Sequence, residues 1–587
     1  MKAKISGIAI VVAILFIISV VAAWNENSIN GQPVPPKANA PVLRESFGTQ
    51  SCRGCHECEG DTLRSYNEKD ANGNIPAKFV RLDESRTWRE QDLHSKAFEN
   101  IDSTKEGNKL AKQMQRTLSQ EPHRKAATGG NYRIEKAGEC LACHADDQSW
   151  DEKRNGPAPI NLEVINDGPK PRFLTGFGVS CEVCHGKAKD WFAPHQISTW
   201  RTVDVEDKKT KGLTDLRSPK LRAEKCASCH IGNKNEGKFV THEMYAAGHP
   251  PLPSFEMATY SNSQPAHYRP NHVNEELKSM AQKDKAGVWK NFHFREDEQS
   301  TARDLAIGSL VAFRANVKLL AEEPDAAAKD SAALLDFAHF DCAACHHDLK
   351  HPNDRQNRDR GVAGRPLPKL SADLLDTVLN HAETSGGNPA NLSEHAKAFR
   401  DSLKSLRYAF DERPFGNATT VQKIASKLAT DCDELFKDLN EIVYDADKSR
   451  TLYQAIAARI QYYGEKKDGR LVRYLDHDDA QQLAWALLTL RGNLYPQLDF
   501  KGKEPDPIAT ARDKLAATLV LHLRPGHRDK DGSAVFTPFL KTQEERQKER
   551  GNILKKRMEL QFAHYQAENF ITAMDEWLKV QEPLNKP

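Results

Sequence analysis

Five times the sequence sets two cysteines three positions apart and puts a histidine directly after the second. The units are Cys52/Cys55/His56, Cys140/Cys143/His144, Cys181/Cys184/His185, Cys226/Cys229/His230 and Cys342/Cys345/His346. Cys-x-x-Cys-His is the spacing of covalent c-type haem attachment. The two thiols can add to the two vinyl groups of one porphyrin, and the adjoining imidazole is then placed to ligate the iron. Ten of the 12 cysteines lie in these units, which overrules the disulfide framework that an exported cysteine-bearing chain would otherwise suggest. Zinc does not require a histidine after every second cysteine. The spacing therefore predicts five covalently bound c-type haems, with these ten cysteines as attachment points and the five histidines as proximal iron ligands.

What lies on the opposite face of each iron decides between electron transfer and chemistry. Two imidazoles close the iron, whereas an open face binds substrate. Five of the 22 histidines are proximal, which leaves 17 for this second role. The leading candidates are His94, on an apparent helix that follows Trp88; His195, eleven residues beyond Cys184; His242 and His249, which flank Glu-Met-Tyr-Ala-Ala-Gly; and His267, which precedes Tyr268. His195 is expected to serve another motif's iron than its own. His123, His272, His293, His339, His347 and His351 form a second rank, while His381, His395, His477, His522, His527 and His564 read as ordinary surface or capping residues. Cys58, close to the first motif, reads as a bystander thiol or, more sharply, as a redox-active or ligating one.

The elements that must position these groups fall into four stretches. Residues 1–23 carry Lys2, Lys4 and an apolar run from Gly7 to Ala23, the pattern of a signal peptide or of an N-terminal membrane anchor. Residues 24–42 form a Pro-rich linker, densest in Pro, Gly and Asn from Asn30 to Val42. Residues 43–368 hold all five motifs among short helical patches, a pentahaem cytochrome c domain with little regular core of its own. Within it, Ala302 to Leu320 reads as a longer helix and Ala321 to Asp330 as its charged exit. The Gly- and Pro-rich run Gly361 to Pro368 marks a boundary. Residues 369–587 contain no haem motif and read as an all-α, bundle-like domain. One of its helices is capped by Ser371 and apolar at Leu374, Leu375, Val378, Leu379 and Ala382. Another places Val421, Ile424, Leu428, Cys432, Leu435 and Leu439 at helical spacing, so Cys432 is expected to be a buried thiol. Others follow at Leu452 to Ile460, Ala480 to Leu490 and Ile553 to Leu578. The fold class expected is mainly α.

The formal charge of +2 gives no reason to expect a nucleic-acid partner. Several sequence blocks resemble the cytochrome c-554 family: Trp88 with His94-Ser-Lys-Ala-Phe, Gly-Val-Ser-Cys-Glu-Val-Cys-His-Gly with Trp191 and His195, His242-Glu-Met-Tyr-Ala-Ala-Gly-His-Pro with Phe255-Glu256, and Cys-Ala-Ala-Cys-His-His-Asp-Leu from Cys342. The resemblance covers roughly residues 48–368 and stops short of the helical region. It implies periplasmic electron transfer, with distal histidines contributed from distant parts of the chain. The family is related to hydroxylamine oxidoreductase and to pentahaem nitrite reductase. Neither the Cys-x-x-Cys-Lys site of that reductase nor the eight haems of the oxidoreductase have a counterpart here. The reading that follows is an exported pentahaem cytochrome carrying electrons between redox protein partners, with a possible membrane tether through residues 7–23 and a possible homo-oligomer through the helical domain. The competing reading is a multihaem oxidoreductase of a small nitrogen or sulfur compound at one open iron.

Overall fold

Each haem motif that the sequence predicts is a short helix or the end of one. In the computed structural model, described for residues 49–57, 80–145, 178–269, 271, 274–322, 335–346, 370–411, 415–494, 506–519, 527–528, 534–535 and 565–581, the described chain is mainly helical. The part that holds the five motifs contains α1 (Thr49–His56), α2 (Glu84–Gln91), α3 (Gly138–His144), α4 (Cys181–His185), α5 (Pro219–His230), α6 (His242–Ala247), α7 (Met257–Ser263), the long α8 (Ser300–Ala321) and α9 (Cys342–Cys345). Further short helices and 3-10 turns lie between them. The helices after the expected boundary are α10 (Asp373–Thr384), α11 (Leu392–Asp411), α12 (Ala418–Glu441), α13 (Ala446–Tyr463), α14 (His477–Leu494), α15 (Asp506–Leu519) and α16 (Ala567–Gln581). Among the described residues, strand is limited to two small antiparallel hairpins, Lys466–Lys467 with Arg470–Leu471 and His527–Arg528 with Ala534–Val535.

The helix expected over Ala302 to Leu320 is present as α8, and it organises the packing. Its residues from Thr301 to Phe313 are buried except Asp304, the pattern of a helix covered on nearly every side. It packs on α5 and α7 from the motif-holding part and on α10, α12 and α14 from the later part. Gly308 allows the closest of these approaches, because a Cβ there would run into the Met257 side chain on α7. A single apolar core therefore runs from Ala223 and Ala227 on α5, through Ile307, Leu310 and Phe313 on α8, to Phe570 and Trp577 on α16. The chain from Ser46 to Pro587 makes one compact unit. The boundary run Gly361 to Pro368 lies outside the described residues, and the helices on its two sides share this core.

Polar contacts reinforce the same junction. Ser254 donates its hydroxyl to the Asp478 carbonyl at 3.0 Å, Gln482 donates to the Phe255 carbonyl at 2.9 Å, and the Thr259 and Thr489 hydroxyls meet at 2.6 Å. All of these groups are at least partly withdrawn from water, where leaving a polar group without a partner costs about 1–3 kcal/mol. They fix α7 and the segment before it against α14.

Two local expectations need correcting. Ser371 does not cap α10: its N-cap is Ala372, and no side chain caps the first turn. His381 and His477 are buried rather than on the surface, because each sits on an inward helix face with a polar neighbour. His381 meets the Thr451 hydroxyl at 2.8 Å and His477 faces Asp478 at 3.4 Å. Cys432 is fully buried on α12, and burial pushes its thiol well above the ordinary range. Among the described residues no helix is long and apolar enough to cross a membrane. Residues 1–42, the charged exit beyond Glu322, Cys58, and His272, His347, His351, His522 and His564 lie outside the described residues, as does the side chain of His527.

Candidate functional site

The local geometry of each motif follows from helical spacing. Residues three and four apart share one face of a helix, so Cys-x-x-Cys-His presents two thiols and an imidazole to the same side. α1, α3, α4 and α5 each end on the motif histidine, and His346 directly follows α9.

The five leading distal candidates arrive from elements distant in sequence. His94 is in the 3-10 turn Leu93–Asn100, His195 in the 3-10 turn Pro194–Gln196, and His267 in irregular chain after α7. His242 opens α6, whose N-cap Thr241 accepts from the Met244 amide. Gly248 closes α6 in the left-handed conformation, and His249 follows it. One two-turn helix thus carries a candidate ligand at each end. Gly178, at φ 67°, lets the chain turn against the His94 segment, where a Cβ would strike the His94 carbonyl. The next residue donates to that carbonyl (Val179 N to His94 O, 2.9 Å), and the Trp88 indole donates to the Val179 carbonyl at 3.0 Å.

Every motif histidine faces one of these five. The ring centroids are 6.3 Å apart for His56 and His195, 6.4 Å for His144 and His249, 6.3 Å for His185 and His267, 6.1 Å for His230 and His94, and 6.5 Å for His346 and His242. The interplanar angles are 12°, 76°, 81°, 83° and 31° in the same order. Rings in direct contact change their separation with their mutual angle, since carbon atoms of parallel rings settle at roughly 3.5–4.0 Å. A near-constant separation at all angles marks a spacer between the rings. An imidazole nitrogen binds a first-row metal at roughly 2.0 Å, so two rings on opposite sides of one metal have centres roughly 6 Å apart. The ten residues therefore fit five irons, each between two imidazoles.

Two further observations fit a haem. The Trp191 indole packs edge-on to His195 at 5.2 Å, is buried, and its N–H has no hydrogen-bond partner. Beside His230 there is a cavity of about 470 Å³, walled in part by Phe239, Tyr245, Phe255, Leu319 and His339, within the size range of cofactor sites.

Hydrogen bonds at Nδ1 fix several of these rings. His144, His249 and His267 each place Nδ1 on a backbone carbonyl, of Ala97 at 3.0 Å, Pro250 at 2.8 Å and Pro265 at 3.2 Å, and His195 does so on Phe192. A carbonyl can only accept, so Nδ1 carries the proton and Nε2 keeps the lone pair that a metal needs. His56 and His94 instead meet carboxylates, Glu84 at 3.0 Å and Asp92 at 2.9 Å. Burial and the facing His94 hold the His230 ring down at about 3. Burial, with His267 and His56 nearby, holds His185 at about 4. Both rings are thus neutral, the form that ligates. Sequence reading did not single out Glu84 or Asp92, although Asp92, two residues before His94, has the spacing of a local Asx turn.

The five pairs form a series. α1 packs on α4, and His56 and His185 are close enough to perturb each other. The thiols of Cys184 and Cys226 interact, as do those of Cys143 and Cys229, which are hydrogen-bonded. α6 spans from His242 to the neighbour of His249. The order is therefore His56–His195, His185–His267, His230–His94, His144–His249 and His346–His242.

The second-rank histidines with described side chains lie in other surroundings. His123 is exposed, 3.9 Å from Glu243. His339 lies in the wall of the cavity beside His230. His293 gives Nε2 to Asp215 at 3.0 Å. Burial would raise the Asp215 carboxyl, but His293 and Arg217 outweigh it and hold it at about 2. The folded state thus favours the ionised form by about 2 kcal/mol relative to an unfolded aspartate near pKa 4. This contribution is present above about pH 4 and is lost as the pH falls towards about 2. Asp215→Asn should accordingly lower the urea midpoint at pH 7, with the difference from the unchanged protein shrinking in titrations at progressively lower pH.

No family model, no curated protein and no solved structure matches this chain.

Proposed function

We propose that this chain is an exported pentahaem c-type cytochrome that passes electrons between redox protein partners through five bis-histidine haems. The observation that carries the reading is the facing of every motif histidine by a second imidazole at a separation of 6.1–6.5 Å. Cys52, Cys55, Cys140, Cys143, Cys181, Cys184, Cys226, Cys229, Cys342 and Cys345 would hold the porphyrins covalently. Haem bound in this way supplies one-electron exchange at an iron whose axial positions are both taken.

The chain's own part is to orient and to exclude. The carbonyls of Ala97, Pro250 and Pro265 aim imidazoles, while Phe255 and Tyr260 pack on the His230 ring at 6.1 and 4.9 Å and keep water from it. Side chains of α8 and α14 back this region rigidly, so the later helices act as a scaffold for the ligand series. With no motif histidine left unfaced, the carrier is favoured over an oxidoreductase of a small nitrogen or sulfur compound. The kinship with the cytochrome c-554 family rests on the sequence blocks, and export on residues 1–23.

Intact mass and electron paramagnetic resonance of the oxidised protein test the proposal together. The mass should exceed that of the processed chain by five haems, with only low-spin signals in the spectrum. Cys181→Ala with Cys184→Ala should remove one haem. A high-spin signal that responds to nitrite or hydroxylamine would instead establish an open iron and sink the carrier reading.

A further inference from the structure

Two of the ten facing rings are held at Nδ1 by carboxylates. His94 gives Nδ1 to Asp92 Oδ1 at 2.9 Å, and His56 gives Nδ1 to Glu84 Oε2 at 3.0 Å. The Asp92 side chain is almost fully buried, at 3 % exposure. It is held in place from three directions: its Oδ1 also accepts the His94 amide at 3.0 Å, and its Oδ2 accepts the Gln264 side-chain amide at 2.9 Å. Glu84 is less enclosed, at 17 % exposure, and its other oxygen accepts the Arg81 amide at 2.6 Å. His144, His249 and His267 meet neutral carbonyls instead.

A charge-assisted hydrogen bond is roughly twice as strong as a neutral one. A carboxylate on Nδ1 draws the proton away from the ring and makes Nε2 a more basic donor. A more basic axial donor stabilises the higher charge of ferric iron, and hydrogen bonding to the ligands is one of the levers by which a protein sets reduction potential. Burial strengthens the effect at Asp92, where solvent does not screen the charge.

We infer that Asp92 and Glu84 are positioning residues that make the His230–His94 and His56–His195 sites lower in reduction potential than their neighbours. The inference rests on the proposed bis-histidine haems. In the series given above these two sites alternate with His185–His267 and His144–His249. An electron moving along it crosses steps of alternating height rather than a uniform slope.

The test is a spectroelectrochemical titration of the full-length haem-loaded protein, unchanged and with Asp92→Asn or Glu84→Gln. Asparagine retains an oxygen for the His94 amide but removes the charge. In Asp92→Asn one of five components should move to more positive potential. A tenfold change in its one-electron reduction equilibrium corresponds to 59 mV. Glu84→Gln should move a different component in the same direction by less, because Glu84 is more exposed, and the double variant should move both. Five low-spin haems whose titration is unchanged, or shifted to lower potential, would overturn the inference and leave the carrier reading standing. Missing haems or a high-spin iron in the unchanged protein would overturn the carrier reading itself. If Asp92→Asn does not assemble, Glu84→Gln decides the inference alone.

Discussion

On the proposed bis-histidine reading, a chain carrying His195→Ala should keep five haems and gain one high-spin iron. His195 lies in a single half-buried 3-10 turn, held by the Phe192 carbonyl and the edge of Trp191. The stability cost should therefore stay near the ordinary value of about 1 kcal/mol for a point substitution. Covalent attachment through Cys52 and Cys55 does not depend on His195, so mass is preserved while coordination changes. The ferric spectrum should lose one low-spin component of five, and the reduced protein should bind carbon monoxide at one iron. Loss of low-spin character from the third motif, as judged in a background lacking Cys181 and Cys184, would show that His195 serves its own motif and that the pairing with His56 is wrong.

Phe313→Ala should destabilise the motif-holding and later helical parts together. Phe313 is buried in α8 and packs edge-on to Phe399 of α11 at 5.2 Å. Removing a buried phenylalanine side chain typically costs about 3–5 kcal/mol, a large share of the stability of any domain. Because α8 packs on α5 and on α12, the loss is felt on both sides of the shared core. Thermal unfolding followed by far-ultraviolet circular dichroism and by the Soret band should move down in temperature as one transition. Two separated transitions, with the Soret change left in place, would mean that the haem part stands without its helical backing.

The motifs made the candidate attachment residues and candidate proximal ligands readable, because their chemistry is local: two thiols and an imidazole within five residues. The five distal candidates were also readable as residues, from their number and company. Their pairing was not. His56 meets His195 and His94 meets His230 only because the chain folds back between them, and no periodicity encodes that return. The long helices were legible from apolar spacing, as at Val421, Leu428 and Leu435 on α12. What the pattern hid was how they join. The run Gly361 to Pro368 has the composition of a boundary, but α8, buried along most of its length, offers one face to α5 and another to α12. Ser371 illustrates a smaller failure of the same kind: a good capping residue lies one position too early when packing starts the helix at Asp373.

The ring angles have a consequence of their own for a five-iron series. At the two ends, His56–His195 and His346–His242, the planes are turned by only 12° and 31°, whereas the three inner pairs are crossed at 76–83°. Near-parallel imidazoles donate into the same iron d orbital and split it from its partner, while crossed ones donate into two and leave them nearly degenerate. With an iron held in each pair as proposed, the two end sites would thus differ magnetically from the three inner ones, and spectroscopy would tell them apart.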